Sequence, residues 1–105
     1  MNIMEIKAEQ FEQEVLKSNE IVLVDFFAQW CPPCQAMMPI LGKIEQENIL
    51  KIVKIDVDQN PELAEKYDVG SIPTFIFFKN GEPVFRNTGA ISFDFIVNKA
   101  KELNG

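Results

Sequence analysis

Cys31 and Cys34 are the residues of this 105-residue chain whose types and spacing most clearly predict chemistry. They are the two cysteines of the sequence, Pro32 and Pro33 separate them, and Trp30 precedes them. Two thiols at this spacing can close a small disulfide and open it again by exchange with another disulfide. The motif therefore predicts a reversible dithiol, provided that the fold leaves the pair within reach of a partner.

The residues around the cysteines predict a strand that ends just before them and a helix that begins with them. Residues 21–28 form a near-continuous apolar run, typical of a strand that is covered on both faces. From residue 34 to about 48 apolar residues recur at helical spacing, and Pro39 should kink that helix. Pro33 disfavours helical angles at the residue before it, so we expect this helix to start one residue late.

The other patterns complete an α/β fold with the element order β-α-β-α-β-α-β-β-α. Crossover helices between the first strands imply parallel pairing, and a closing hairpin adds antiparallel strands, which gives a central mixed sheet flanked by helices. The remaining predicted elements are strands at 2–6, 50–57, 74–79 and 83–87, helices at 9–18, 61–67 and 93–103, N-caps at Asn60 and Ser92, and a hairpin turn at Asn80-Gly81.

A helix N-terminus gives the two cysteines different roles. Its unpaired N–H groups and partial positive charge favour a thiolate, and Cys31 lies at or just before the first turn. We therefore expect Cys31 to be the more exposed nucleophile and Cys34 to be the shielded, resolving thiol. A permanent disulfide is the weaker alternative because so short a loop adds little stability. A structural zinc site needs four cysteine or histidine ligands, whereas the sequence offers two cysteines and no histidine.

On these residues the chain resembles the thioredoxin family, and the resemblance covers nearly the whole sequence. It implies a thioredoxin fold and a redox-active Cys31–Cys34 disulfide with no bound cofactor. Besides residues 30–34, the matching segments are Val24-Asp25-Phe26, Pro39, Lys54-Ile55-Asp56-Val57-Asp58, Ile72-Pro73-Thr74, Phe78-Lys79-Asn80-Gly81 and Gly89-Ala90.

Three positions depart from the family pattern. Pro32 stands where glycine is usual, and it removes one N–H near the thiolate. Phe27 replaces a common tryptophan, and Gln35 replaces a common lysine or arginine and so removes a positive charge beside the site. These departures leave the redox potential and the preferred partner open.

Asp25 is the residue that the family resemblance assigns to proton transfer with Cys34, through a water. It stands inside the apolar run, where burial raises the pKa of a carboxyl group. With no histidine in the chain, proton transfer needs such a group. Lys54 matches the family's buried lysine partner. The alternatives are that Asp25 ends its strand facing solvent and that Lys54 is a surface lysine with a buried stem.

The resemblance also implies a substrate groove around Cys31. In the family the peptide bond that matches Ile72-Pro73 is cis and faces the cysteines, so that the backbone of residue 72 can pair with an extended substrate segment. Gly89 permits close approach of backbone. With Trp30, Pro32 and Pro33 supporting the site, the expected substrate-binding residues are Trp30, Ile72, Pro73, Gly89 and Ala90. The residues expected to be core are Phe26, Phe75, Phe77, Phe78 and the pair Met37-Met38.

Length, composition and charge suit one soluble domain over residues 1–105. The net charge of -6 argues against a nucleic-acid or anionic membrane surface, which needs clustered lysine and arginine. We see neither a signal peptide at the start nor an apolar run of about 20 residues. We therefore expect a cytoplasmic protein, and a monomer, in a compartment where a C-x-x-C pair is more often redox-active than structural.

Three functions remain open. The leading hypothesis is a protein-disulfide reductase that carries electrons from a thioredoxin reductase, a flavoprotein by family resemblance, to disulfide-containing proteins. The second is a partner-specific or more oxidising relative, suggested by Pro32 and Gln35. The third is a non-catalytic binding module of the same fold, against which the intact cysteine pair argues.

Overall fold

Five strands form one mixed sheet with helices on both faces, in the computed structural model, which describes residues 3–105. This arrangement and the element order confirm the predicted α/β class. The elements are β1 (Met4–Glu5), α1 (Ala8–Phe11) continuing as a π-helical segment (Glu12–Leu16), β2 (Val22–Phe27), α2 (Pro32–Gln46), β3 (Lys51–Asp56), α3 (Pro61–Lys66), β4 (Thr74–Lys79), β5 (Glu82–Thr88) and α4 (Phe93–Asn104).

The strand order across the sheet is β1-β3-β2-β4-β5. β3 pairs parallel with β1 and β2, and β4 pairs antiparallel with β2 and β5. β2 therefore lies at the centre of the sheet and carries its C-terminal end directly into the cysteines. The register sets Asp25 of β2 beside Lys54 of β3 and Phe75 of β4.

Alternate residues of the strands feed two hydrophobic cores, one on each face of the sheet. The first core packs the sheet against α1, the π-helical segment and α3, with Phe11, Val15, Phe26, Leu63 and Phe78 among its buried members. The second packs it against α2 and α4, and its buried members include Leu23, Met37, Leu41, Phe75, Phe77 and Ile96. Each such side chain contributes about 1.5–3 kcal/mol by leaving water. The prediction that Phe26, Phe75, Phe77, Phe78 and Met37 are core is confirmed, and Met38 is partly buried.

α2 begins at Pro32, so the expectation of a late start was wrong. Cys31 is its N-cap and is extended, at φ -94° and ψ 106°, which suits a residue before proline. Pro32 and Pro33 occupy the first two helical positions, where the N–H groups that proline lacks have no partner within a helix in any case. The helix runs through Pro39 and ends at Gln46, two residues before the predicted end.

Two further predictions needed correction. The helix predicted at 9–18 is a short α-helix followed by the π-helical segment. Asn60 is the N-cap residue of α3, but its side chain makes no cap hydrogen bond there. Instead its Oδ1 accepts from the Ala8 N–H (2.9 Å) and its Nδ2 donates to the Asp56 carbonyl (3.0 Å). The amide thus ties α1 to the end of β3, a long-range partner that local sequence does not show.

The two turn and cap predictions near the C-terminus are confirmed. Asn80 and Gly81 both have positive φ (54° and 80°), as a tight hairpin turn requires. The Ser92 Oγ accepts from the Phe95 N–H at 3.0 Å and caps α4. Asn2, the first residue of the predicted edge strand, lies outside the described residues. Among residues 3–105 no helix is both long and apolar enough to cross a membrane.

Candidate redox site

Cys31 and Cys34 are joined by a disulfide at the junction of β2 and α2. Their Cα atoms are 5.2 Å apart, within the usual range for a disulfide. The Cys31 N–H donates to the Ala28 carbonyl (3.3 Å), which turns the chain from the strand into the helix. The Cys31 Sγ then accepts from the Cys34 N–H at 3.2 Å. The sulfur of Cys31 therefore takes the place of the oxygen that caps most helices.

Exposure does not separate the two cysteines in this oxidised state. Cys31 is 2% exposed and Cys34 is 3% exposed, so the expectation that Cys31 is the more exposed thiol was wrong. The cause is packing, because both cysteines lie in a small cluster with Phe27 and Ala28, against which Ile72 also packs. What distinguishes them is position, since the Cys31 Sγ stands at the tip of α2 and accepts an N–H from within the helix.

The tip of α2 offers few donors to that sulfur. Pro32 and Pro33 have no N–H, so Cys34 supplies the first backbone N–H of the helix, and it points at the Cys31 Sγ. Gln35, where the family commonly has a positive charge, donates its Nε2 to the Gln29 carbonyl (2.9 Å) instead. The tip of α2 therefore offers the Cys31 Sγ one backbone N–H together with the positive end of the helix dipole.

Asp25 is buried on the central strand, at 1% exposure. Among the described residues neither of its carboxylate oxygens has a hydrogen-bond partner. Burial raises the pKa of Asp25 from 3.8 to about 7, and the positive charge of Lys54 lowers it in part. The alternative that Asp25 faces solvent at the end of its strand is thus excluded. A carboxyl group that titrates near neutrality can accept and return a proton at ordinary pH.

Lys54 lies beside Asp25 in the sheet but does not form a close ion pair with it. The two residues are register partners on β2 and β3, and no nitrogen–oxygen contact within 4 Å joins them. The Lys54 Nζ stands 5.0 Å from the centroid of the Phe27 ring instead, and the residue is half-buried. The lysine therefore acts on Asp25 through its charge at a distance.

A cavity of about 100 Å³ lies next to Cys34. Lys54 and Phe27 line it together with Cys34 itself, so the lysine and this cysteine border the same space. The remaining lining residues are Ala28, Gln29, Gln35 and Met38.

Trp30 is held by a residue that sequence reasoning did not assign to the site. Its ring is 67% exposed, yet the indole Nε1 donates to the Asp58 Oδ2 at 2.7 Å. Asp58 is itself placed by Asp56, which is 2% exposed and whose Oδ1 accepts from the backbone N–H groups of Asp58 (2.9 Å) and Gln59 (3.4 Å). The signal was available, because Asp58 directly follows the strand predicted at 50–57, which was expected to run parallel to the strand before the cysteines.

The predicted groove residues are partly brought together. Ile72 packs against the cysteine cluster, and the Ile72-Pro73 peptide bond is cis, as the resemblance implied. Pro73 is buried, and its carbonyl accepts from the Gly89 N–H at 2.8 Å. Gly89 has φ +98°, an angle that favours glycine. A Cβ at this position would meet nothing within 4 Å, so the backbone angle, and not lack of space, is the reason for glycine there. Ala90 is exposed directly after it.

Comparison with known proteins agrees with this geometry. The family model described as Thioredoxin matches residues 2–102. The thioredoxin of Rickettsia bellii is 51% identical over 74 residues, covering 69% of this chain and 70% of that protein. The thioredoxin of Mycobacterium bovis is 51% identical over 82 residues, covering 76% and 71%. The chain belongs to the thioredoxin family.

A further relative is longer than this chain. The protein named bifunctional thioredoxin reductase/thioredoxin of Mycobacterium leprae is 49% identical over 89 residues, which are 83% of this chain and 19% of that protein. Together, family membership and the Cys31–Cys34 disulfide make this chain a thiol–disulfide oxidoreductase. Within residues 3–105 no group of three or more histidine, cysteine, aspartate or glutamate side chains could hold a metal ion.

Proposed function

We propose that the chain reduces disulfides in other proteins, with Cys31 as nucleophile and Cys34 as resolving thiol. The observation that carries this assignment is the hydrogen bond from the Cys34 N–H to the Cys31 Sγ at the tip of α2. In the reduced protein the same N–H and the helix dipole would stabilise a thiolate on Cys31. Cys34 lies one turn inside the helix, from where it can attack Cys31.

The reaction proceeds in two exchange steps. The Cys31 thiolate attacks one sulfur of the substrate disulfide, a mixed disulfide forms, and the other substrate sulfur leaves as a thiolate. Cys34 then loses its proton and attacks the Cys31 Sγ, which releases the second substrate thiolate and closes the internal disulfide. The substrate gains two electrons, and the Cys31–Cys34 pair loses them.

Asp25 accepts the proton of Cys34 in this proposal. Its pKa of about 7 makes it half-ionised near neutral pH, so it can take a proton during the attack and return it when the disulfide is reduced again. The charge of Lys54 supports the ionised form. Trp30, Ile72, Pro73, Gly89 and Ala90 form the substrate-binding surface around the disulfide, with Pro32 and Pro33 stiffening its centre.

Electrons reach the disulfide from a thioredoxin reductase, a flavoprotein in this family resemblance. The name of the Mycobacterium leprae relative, which joins a thioredoxin reductase to a thioredoxin, supports this partner. We further propose a single domain over residues 1–105, a monomer, and a cytoplasmic location. The net charge of -6 fits a soluble carrier with no nucleic-acid or membrane partner.

A reduction assay tests the proposal. Reduced protein is mixed with insulin, a disulfide-bonded substrate, and excess dithiothreitol, and we expect precipitation of the freed insulin chain to be faster than with dithiothreitol alone. The Cys34→Ser variant should trap a mixed disulfide through Cys31, identified by mass spectrometry. Equal rates of precipitation with and without the protein would contradict the proposal. It would also be contradicted if Cys34→Ser trapped no mixed disulfide and Cys31→Ser trapped one through Cys34.

A more oxidising, partner-specific role is the second candidate, and it is suggested by the departures from the family pattern at Pro32 and Gln35. An oxidant is favoured when its reduced form is stabilised, as by many donors to the thiolate. Here the first two helical residues have no N–H, and Gln35 supplies no charge, so the structure favours the reductase. Equilibration with glutathione decides between them: a potential at the oxidase end of the family's range would favour the second candidate.

A further inference from the structure

Arg86 lies outside the site described above, yet its contacts lead to the segment that carries Ile72. It is the one arginine among the 10 basic residues of the sequence, and it stands on β5, opposite Ile76 of β4. Its guanidinium donates through Nη1 to the Tyr67 carbonyl and through Nη2 to the Asp68 carbonyl. One planar side chain thus spans two successive carbonyl groups, which matches the fork geometry of arginine.

Those two carbonyl groups mark the point where α3 ends and residues 69–73 begin. Tyr67 is the C-cap of α3, and Asp68 has a positive φ of 59°, which turns the chain out of the helix. The last carbonyl groups of a helix lack partners within it, and a cation near them is favourable. Arg86 therefore satisfies carbonyl groups that would otherwise depend on solvent. It adds to the backbone hydrogen bond from the Val69 N–H to the Ala64 carbonyl (2.8 Å), which holds the same turn.

The C-terminal end of residues 69–73 is also held by hydrogen bonds, one of them from a residue that directly follows β5. The Pro73 carbonyl accepts from the Gly89 N–H (2.8 Å), just after β5, and the Thr74 Oγ1 donates to the Ser71 carbonyl (2.6 Å). Residues 69–73, here called the 69–73 segment, are thus fastened at their start by Arg86 and at their end by Gly89. Between these two points the segment brings Ile72 against the Cys31–Cys34 cluster.

We propose that Arg86 is a positioning residue for substrate recognition, because it fixes the start of the 69–73 segment and with it the surface that a substrate protein meets beside Cys31. This inference rests on the proposed reduction of protein disulfides. Arg86 touches neither the disulfide nor Asp25. Its loss therefore changes how well a protein substrate docks and leaves the exchange chemistry of the thiols intact.

The test compares Arg86→Ala and Arg86→Lys with a control, Lys101→Ala, which removes one exposed positive charge from α4. Each variant is assayed against insulin and against a small aromatic disulfide that needs no groove. We expect Arg86→Ala to raise the KM for insulin about fivefold, with kcat and the small-disulfide rate within about twofold of the unmodified protein, because a pair of charge-assisted hydrogen bonds is lost. Lys101→Ala should match the unmodified protein with both substrates.

Hydrogen exchange gives a readout that does not depend on function. The Val69 N–H, which donates to the Ala64 carbonyl at 2.8 Å, should exchange at least about fivefold faster in Arg86→Ala than in the unmodified protein, while amides of β2 and β4 keep their protection. Arg86→Lys should behave like Arg86→Ala, since one ammonium group cannot hold two carbonyl groups in fork geometry. Variants that unfold are recognised by loss of protection throughout the sheet, in which case Arg86→Gln, which keeps a planar donor, is measured instead and should show a smaller change of the same kind.

The outcomes separate this inference from the function on which it rests. If the unmodified protein does not reduce insulin, the proposed function fails, and the exchange data still decide whether Arg86 holds the segment. If insulin is reduced but Arg86→Ala and Arg86→Lys leave both the KM for insulin and the exchange of the Val69 N–H unchanged, the positioning role is wrong. Full recovery by Arg86→Lys would also overturn it, because charge alone would then suffice.

Discussion

Asp25 and Asp56 are buried aspartates on neighbouring strands, but the regions around them differ in the hydrogen bonds that they offer a carboxylate. Asp56 is 2% exposed, and its Oδ1 accepts two backbone N–H groups of the loop that follows β3. Asp25 is 1% exposed, and its two oxygens have no partner among the described residues. Burial is the same in both places, whereas hydrogen bonding differs. A satisfied carboxylate builds structure, and an unsatisfied one is left to exchange a proton.

The largest effect expected from this contrast is on stability. The pKa of Asp25 is about 7 in the folded chain and 3.8 when unfolded, so the folded state binds its proton more tightly and stability falls as pH rises from about 4 to 7. Over about three pH units the cost reaches about 4 kcal/mol. Relative to the unmodified protein, Asp25→Asn should therefore gain up to about 4 kcal/mol in the free energy of unfolding between pH 4 and pH 8.

Urea unfolding of the oxidised protein at several pH values measures this difference. Asp94→Asn is the control, since Asp94 is exposed in the first turn of α4. The free energy of unfolding of Asp25→Asn, relative to the unmodified protein, should change more with pH than that of Asp94→Asn. If the difference in free energy of unfolding between Asp25→Asn and the unmodified protein stays constant with pH, the raised pKa of Asp25 is contradicted.

The second effect concerns the rate of disulfide exchange. If Asp25 takes the proton of Cys34, Asp25→Asn should slow the resolving step by roughly 10- to 100-fold at pH 7, within or below the usual range for a lost general base. The pH–rate profile of the unmodified protein should bend near pH 7, and the variant should lose that bend. Stopped-flow measurement of mixed-disulfide decay follows the step directly. A bend that survives in Asp25→Asn would assign the proton to another group.

Replacement of Asp56 should lower the free energy of unfolding, whereas Asp25→Asn should raise it. Asp56→Ala should destabilise the fold by about 1–2 kcal/mol, because the N–H groups of Asp58 and Gln59 lose their acceptor. Chemical unfolding at pH 7 is the measurement, and a stabilised Asp56→Ala variant would erase the distinction between the two aspartates.

The smallest effect sharpens what the Asp56 region does for the site. Trp30 is the one tryptophan of the sequence, so tryptophan fluorescence reports on this indole, whose Nε1 donates to Asp58, with no signal from another tryptophan. Asp58→Ala should lower the steady-state anisotropy of Trp30 while costing about 1 kcal/mol or less of stability, as expected for one exposed charge-assisted hydrogen bond. Asp58→Asn keeps an acceptor oxygen and should restore most of the anisotropy. Equal anisotropy in all three proteins would show that the indole is held by other contacts.

Much of the fold follows from local pattern, and the parts that did not are long-range. The apolar run of residues 21–28, the Asn80-Gly81 turn and the Ser92 cap each carry a local signal, and each was predicted. The Asn60 side chain could not be, because its partners lie on α1 and β3. The equal burial of the cysteines was missed for the same reason, since Phe27 and Ile72, which cover them, come from different segments.

In the candidate site, residue types were easier to predict than their contacts. A carboxylate inside an apolar strand predicted the raised pKa of Asp25 by desolvation alone. The position of Lys54 over the Phe27 ring, and not against Asp25, depends on side-chain packing between strands that no spacing encodes. The same holds for Arg86, whose partners Tyr67 and Asp68 are about 20 residues away.

The central claim is that the two cysteines, equally buried when joined, become unequal once they are reduced. Alkylation of the reduced protein with iodoacetamide, followed across pH by peptide mass spectrometry, tests it most directly. Cys31 should react at least about tenfold faster than Cys34 at pH 7. The pH at which its alkylation rate is half-maximal should lie well below about 8.5, the pH at which a free cysteine ionises. Equal rates at both cysteines, each rising near pH 8.5, would contradict the assignment of nucleophile and resolving thiol.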